Sequence, residues 1–114
     1  MELKTILTAI KEATGLNPVA FSITDETSIP AISYTFYRDG DNGAATSYRL
    51  QTRITAPDYA TAIGLEEKLV DCLVCVGDEH RFGCSIEANG GGSLLDLETG
   101  NPQIINYFDL ISRS

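Results

Sequence analysis

Tyr48-Arg49-Leu50-Gln51-Thr52-Arg53-Ile54-Thr55-Ala56-Pro57-Asp58-Tyr59 is the stretch on which the fold turns, because the period of its pattern changes part-way along. Up to Ile54 the period is two. Tyr48, Leu50, Thr52 and Ile54 fall on one face, and Arg49, Gln51 and Arg53 on the other, which is the alternation of a half-buried strand. Ala56-Pro57 ends that strand, and a proline fits the first turn of a helix, where its missing N–H has no intrahelical partner to lose. Beyond it the apolar residues recur at helical spacing. Ala62, Leu65, Leu69, Cys72 and Val76 mark one stripe, reinforced by Ile63, Val70 and Leu73, with Glu66, Glu67, Lys68 and Asp71 opposite. The pattern predicts a helix over residues 57–75 that is the longest element and the backbone of the core.

Working outward from this junction, the N-terminal side begins with a second helix. Leu3, Ile6, Leu7, Ile10 and Ala13 share a stripe, Gly15 supplies a stop and Pro18 forbids continuation, which predicts a helix over residues 2–14. Val19, Phe21 and Ile23 then alternate as a strand, followed by the polar turn Asp25-Glu26-Thr27-Ser28. Ile32, Tyr34 and Phe36 form a second strand. Asp39-Gly40-Asp41-Asn42-Gly43 is dense in turn formers and reads as a protruding hairpin loop. On the C-terminal side Phe82, Cys84, Ile86 and Ala88 alternate. Asn89-Gly90-Gly91-Gly92 reads as a break, followed by a short strand over 94–97, the turn Thr99-Gly100-Asn101-Pro102, and a last strand over 104–111. The order is α-β-β-β-α-β-β-β. Strands grouped between helices, instead of alternating with them, argue for an α+β fold, a mostly antiparallel sheet with two helices packed on it, in one domain over residues 1–114.

Composition narrows the classes of function. With 43% apolar and 21% charged residues in 114, the chain is of globular balance and long enough to bury a core without disulfide or metal staples. Sixteen acids against eight bases leave a net charge of −8. That surplus repels phosphate backbones and acidic membrane surfaces, so neither sequence-specific nucleic-acid binding nor membrane binding is expected. No apolar run approaches the roughly 20 residues of a membrane span, and Met1-Glu2-Leu3-Lys4 leads straight into an amphipathic pattern and not a signal-peptide layout. The expectation is a cytoplasmic protein.

The only concentration of reactive side chains is Cys72-x2-Cys75-x4-His80-x3-Cys84, which gathers every cysteine and the sole histidine. It comes close to a zinc knuckle, but the last ligand stands one residue too early. Cys72 and Cys84 fall on apolar stripes, where a free thiol behaves as a small hydrophobe. A Cys–His nucleophile pair fits no better, since it needs an exposed thiolate and a base held by a third group. Asp39-x-Asp41-Asn42-Gly43 lacks the glycine and glutamate positions of a calcium loop, and Gly90-Gly91-Gly92-Ser93 has no lysine after it to hold a phosphate. The expectation is no enzyme, no metal and no cofactor, with the thiols free and buried. Recognition surfaces are the remaining candidates. They are the hairpin with Arg38, Asp39, Asp41 and Asn42, and the polar outer strand face of Arg49, Gln51 and Arg53.

The chain also carries a family flavour. Its N-terminal amphipathic helix, the strand Pro30-Ala31-Ile32-Ser33-Tyr34 and the long hairpin are followed by Thr55-Ala56-Pro57-Asp58-Tyr59-Ala60 leading into a long helix, and by a terminal Tyr107-Phe108-Asp109-Leu110 strand. Together these resemble the small tail-terminator proteins of long-tailed bacteriophages, also described as tail-completion or head–tail joining proteins. The resemblance covers nearly the whole chain as an order of elements and contributes no catalytic residues. It implies a structural morphogenesis protein of a phage or prophage that forms a ring, commonly hexameric. Such a ring caps the tail tube, meets the tail-tube protein and a head-completion protein, and passes from the cytoplasm into the virion tail. An acidic lumen would let DNA slide through without sticking. Another head–tail connector or tail-tube component, or an unrelated non-enzymatic interaction domain, stands as the alternative.

Overall fold

A computed structural model describes residues 2–21, 29–41, 43, 45–75, 82–95 and 99–113. The elements in chain order are α1 (Leu3–Thr14), β1 (Val19–Ala20), β2 (Ala31–Asp41), β3 (Ala45–Thr55), α2 (Tyr59–Leu73), β4 (Ser85–Leu95) and β5 (Pro102–Arg113). The fold is α+β, with two helices packed on a five-stranded sheet of order β1-β2-β3-β5-β4. All pairings are antiparallel except the short β1–β2 contact, where Val19 lies beside Ser33 and Ala20 beside Tyr34.

Local chemistry accounts for the helix ends. Gly15 closes α1 in the left-handed region at φ 76°, and its N–H donates to Lys11 O at 2.8 Å. Asp58 opens α2 in an extended conformation, and its Oδ1 accepts from the Thr61 N–H at 2.7 Å. The helix is therefore shorter than the expected 57–75. Pro57 stands before the cap and not in the first turn, because the Asp58 carboxylate satisfies a donor that the helix leaves open. At the other end the chain leaves helical geometry at Val74, and the Cys75 N–H donates to Ile86 O at 3.0 Å. Cys75 consequently lies outside the helix, in an isolated bridge to β4.

Two expected interruptions turn out to be strand. The β2–β3 ladder runs on through Arg38↔Tyr48, Gly40↔Ser47 and Asp41↔Thr46, with a bulge between Arg38 and Gly40. The bulge takes up Asp39, so the turn formers 39–41 stay within the ladder instead of forming a loop. Likewise Asn89-Gly90-Gly91-Gly92 is no break. Residues 89 and 90 bulge opposite Tyr107, and pairing resumes at Gly91↔Asn106. At Gly91 a Cβ would lie 2.2 Å from Ile105 O, so glycine is what lets β4 approach β5 this closely. The two strands expected over 82–97 are thus one as far as Leu95, and among the described residues the sheet has five strands and not six. Of the first expected strand, residues 19–20 are β1, and 22–28 lie outside the described residues, as do Val76 and His80.

One face of the sheet carries the core. Ile32, Leu50, Ile54, Ile86, Phe108 and Leu110 are buried against Ile6 and Ile10 of α1 and Ala62, Leu65, Leu69, Cys72 and Leu73 of α2. α2 lies on β3 and β5, and α1 packs against α2. Cys72 and Cys84 are buried, with Cys72 Sγ donating to Leu69 O at 3.2 Å. Ile63 is a correction. Counted with the core stripe, it is 47% exposed on the side of α2 that overhangs β4. No helix among the described residues is long and apolar enough to cross a membrane.

Candidate functional site

No helix among the described residues covers the opposite face of the sheet. Strand alternation places Ser33, Thr35 and Tyr37 of β2 on it, beside Arg53, Gln51 and Arg49 of β3, which in turn stand beside Ile105, Tyr107 and Asp109 of β5. The expected outer face of Arg49, Gln51 and Arg53 is therefore real, and all three are half-buried. Their neighbours across the sheet make it a connected surface. Arg49 Nε donates to Asp109 Oδ1 at 3.2 Å, and the Asn89 amide donates to the other oxygen of the same carboxylate. The Arg49 guanidinium lies 5.9 Å from the Tyr107 ring centroid, and that of Arg53 lies 4.7 Å from the centroid of Phe21.

Electrostatics ties the two candidate groups together. The hydrogen bond and charge of Asp109 hold the Arg49 guanidinium above its ordinary range, with smaller support from Tyr37 and Asp39. Asp39, on the hairpin, thus acts on the same cation that the outer face presents. Arg38 and Asp39 are exposed near the far end of β2, and Asp41 is its last residue, while Asn42 lies outside the described residues. The hairpin and the outer face are one surface, since β5 flanks β3 as far as Ala45↔Arg113, beside the last described β2–β3 pair Asp41↔Thr46. Arg53 Nε is enclosed with no hydrogen-bond partner among the described residues, leaving the stacked guanidinium incompletely satisfied.

Sequence reasoning missed Phe21, Asn89, Tyr107 and Asp109. Tyr107 and Asp109 had a usable signal, since they alternate with Phe108 and Leu110. Asn89 had none, because its reach to Asp109 depends on a bulge.

The clefts are open grooves. One runs along α1 beside Glu2, Lys4, Glu12 and Phe82, one lies at the β2 edge by Leu3, Phe21 and Phe36, and one separates α2 from β4. Among the described residues no group of three or more His, Cys, Asp or Glu side chains is placed to hold a metal ion. What the described residues assemble is a broad polar-aromatic surface, suited to contact another macromolecule. The chain matches no protein-family model and no curated protein sequence.

Proposed function

We propose that the chain is a structural assembly protein of a long-tailed bacteriophage or prophage, a tail terminator whose ring caps the tail tube and joins it to the head. The observation that supports it most is the uncovered sheet face, with Arg49, Arg53, Tyr107 and Asp109 linked across three strands and extended by the β2–β3 ribbon. A face rich in arginine and tyrosine has the composition of an interface, not of a solvated back. The helix, strand, hairpin, helix and terminal strand on which the tail-terminator resemblance rests support the same reading. In this reading the protein is not an enzyme and uses no cofactor, and its partners are further copies of itself, the tail-tube protein and a head-completion protein.

Co-expression with a cognate tail-tube protein, followed by negative-stain imaging, tests the proposal. Rings seated on tube ends are expected. Joint replacement Arg49→Glu and Arg53→Glu should abolish them while the variant stays folded. A chain that remains monomeric and never joins tube ends overturns the reading.

A further inference from the structure

The sheet has two outer edges, and they are treated differently. At β2, β1 occupies Ser33 and Tyr34, a bulge follows Arg38, and charged residues stand at 38, 39 and 41. Short cover, a bulge and charges are the devices by which a strand edge is kept from pairing with another chain. At β4 the cover and most of the charge are missing among the described residues. The strand pairs with β5 on one side, and beyond the bridge at Ile86 no described residue pairs with its other side from Glu87 to Leu95. That stretch holds one charged residue and no proline. Its bulge, like that of β2, lies in the ladder with the inner neighbour, so cover and charge are what distinguish the two edges.

Beside this edge runs a groove of about 390 Å³ between α2 and β4. Tyr59, Ile63 and Glu66 line it from the helix, Ile104 and Asn106 form its floor, and the bare backbone of 90–92 makes its far wall. Tyr59 and Ile63 are 46% and 47% exposed, unusual for large apolar side chains on the packed side of a sheet. Asn106 Nδ2 is enclosed with no acceptor among the described residues. The exposed apolar side chains are accounted for by a guest that brings apolar groups to the groove.

From these we infer that the β4 edge and the α2 groove form a docking site for an extended segment of another protein, added to the sheet as a further antiparallel or parallel strand. A strand edge supplies main-chain hydrogen bonds, and an adjoining groove takes every second side chain of the guest. The charge of the site selects the guest. Glu66 is the only charged residue lining the groove, Glu87 stands at the start of the edge, and the chain carries −8 overall, so a basic, apolar segment is favoured. The same acids disfavour a second copy of this chain, which would bring its own Glu66 and Glu87 to the contact. This site does not depend on the tail reading.

The test uses two synthetic extended peptides, with valine, lysine and valine at alternate positions in one and glutamate replacing the lysine in the other. Fluorescence anisotropy should show saturable binding of the lysine peptide, at least about tenfold tighter than the glutamate peptide. Ile63→Ser, which removes the apolar contact at an exposed position without changing the charge of the groove, should weaken binding about tenfold or more. Glu66→Lys should reverse the preference between the peptides. Hydrogen exchange should slow across residues 87–95 only when peptide is present. Absence of saturable binding, an unchanged affinity in Ile63→Ser, or slowing at 87–95 that follows protein concentration without peptide overturns the inference, the last by naming a second copy as the occupant.

Discussion

Tyr107 and Phe108 follow one another on β5, yet they belong to different environments. Phe108 is fully buried among the residues that α1 and α2 cover, and Tyr107 lies half-buried on the open face beside Arg49. The strand is the same and both residues pair with β3, Tyr107 with Gln51 and Phe108 with Leu50, so the contrast in burial comes from which face the helices cover. The covered face holds the energy of folding, because apolar area is removed from water there at about 25 cal/mol per Å². The open face holds charge, aromatic rings and an incompletely satisfied guanidinium, a mixture that adds little to stability and is suited to contact.

The sharpest way to break that comparison is to shorten both residues in turn. Phe108→Ala leaves a cavity in the covered face and should cost about 3–5 kcal/mol, a large part of the total stability of a domain of this size. Tyr107→Ala should cost under about 1 kcal/mol. Urea unfolding followed by circular dichroism measures both. Equal losses would mean that the open face is a second core covered by something outside the described residues.

A second substitution probes how β4 joins the sheet. Gly91 sits at φ 150° with Ile105 O where a side chain would begin, so Gly91→Ala must either push β4 from β5 or adopt a strained backbone. The expected loss is about 1–3 kcal/mol. Gly92→Ala, with open space around its missing Cβ, should cost distinctly less. The pair separates glycine needed for close approach from glycine that merely lacks a side chain.

Gly91 also shows where sequence reading stops. The alternation through Tyr48 to Ile54, the α1 stripe with its glycine stop, and the burial of Cys72 and Cys84 were legible because each is a local consequence of period or residue type. Asn89-Gly90-Gly91-Gly92 reads locally as a break, since nothing within it favours a strand. It is held extended by Ile105 and Asn106, which are distant in sequence and adjacent only once β5 lies between β3 and β4. Of the candidate surface, the shared side of Arg49, Gln51 and Arg53 followed from a period of two. The partners that make it a surface, Asp109, Tyr107 and Phe21, depend on strand order, which no local pattern specifies. Ile63 fell on the apolar stripe of α2 and was counted as core, because a helical stripe does not say how wide the covering sheet is.

The smallest expected effect concerns the start of α2, where the chain passes from the sheet to the helix that covers it. Asp58 is exposed, and its carboxyl group is held below the usual aspartate range chiefly by the backbone N–H of Thr61, which donates to the ionised form. The sign of the pH dependence follows. A carboxyl whose folded pKa is depressed contributes stability that is fully present above its unfolded pKa, about 3.9, and that contribution is lost as pH falls through the lower folded value. Wild-type protein should therefore show a small acid-side loss from this cap between those two limits. Asp58→Asn keeps an oxygen that can accept from Thr61, so thermal stability at neutral pH should stay close to wild type. Its amide does not titrate, so the acid-side loss should shrink by the part that Asp58 contributes. Asp58→Ala removes the acceptor and should lower the melting temperature at neutral pH, with the same flattening in acid. Thermal melts of the three proteins at neutral pH and at a series of acidic values distinguish these outcomes. If Asp58→Asn melts like Asp58→Ala at neutral pH, the cap acts through charge at the helix N-terminus and not through the hydrogen bond to Thr61.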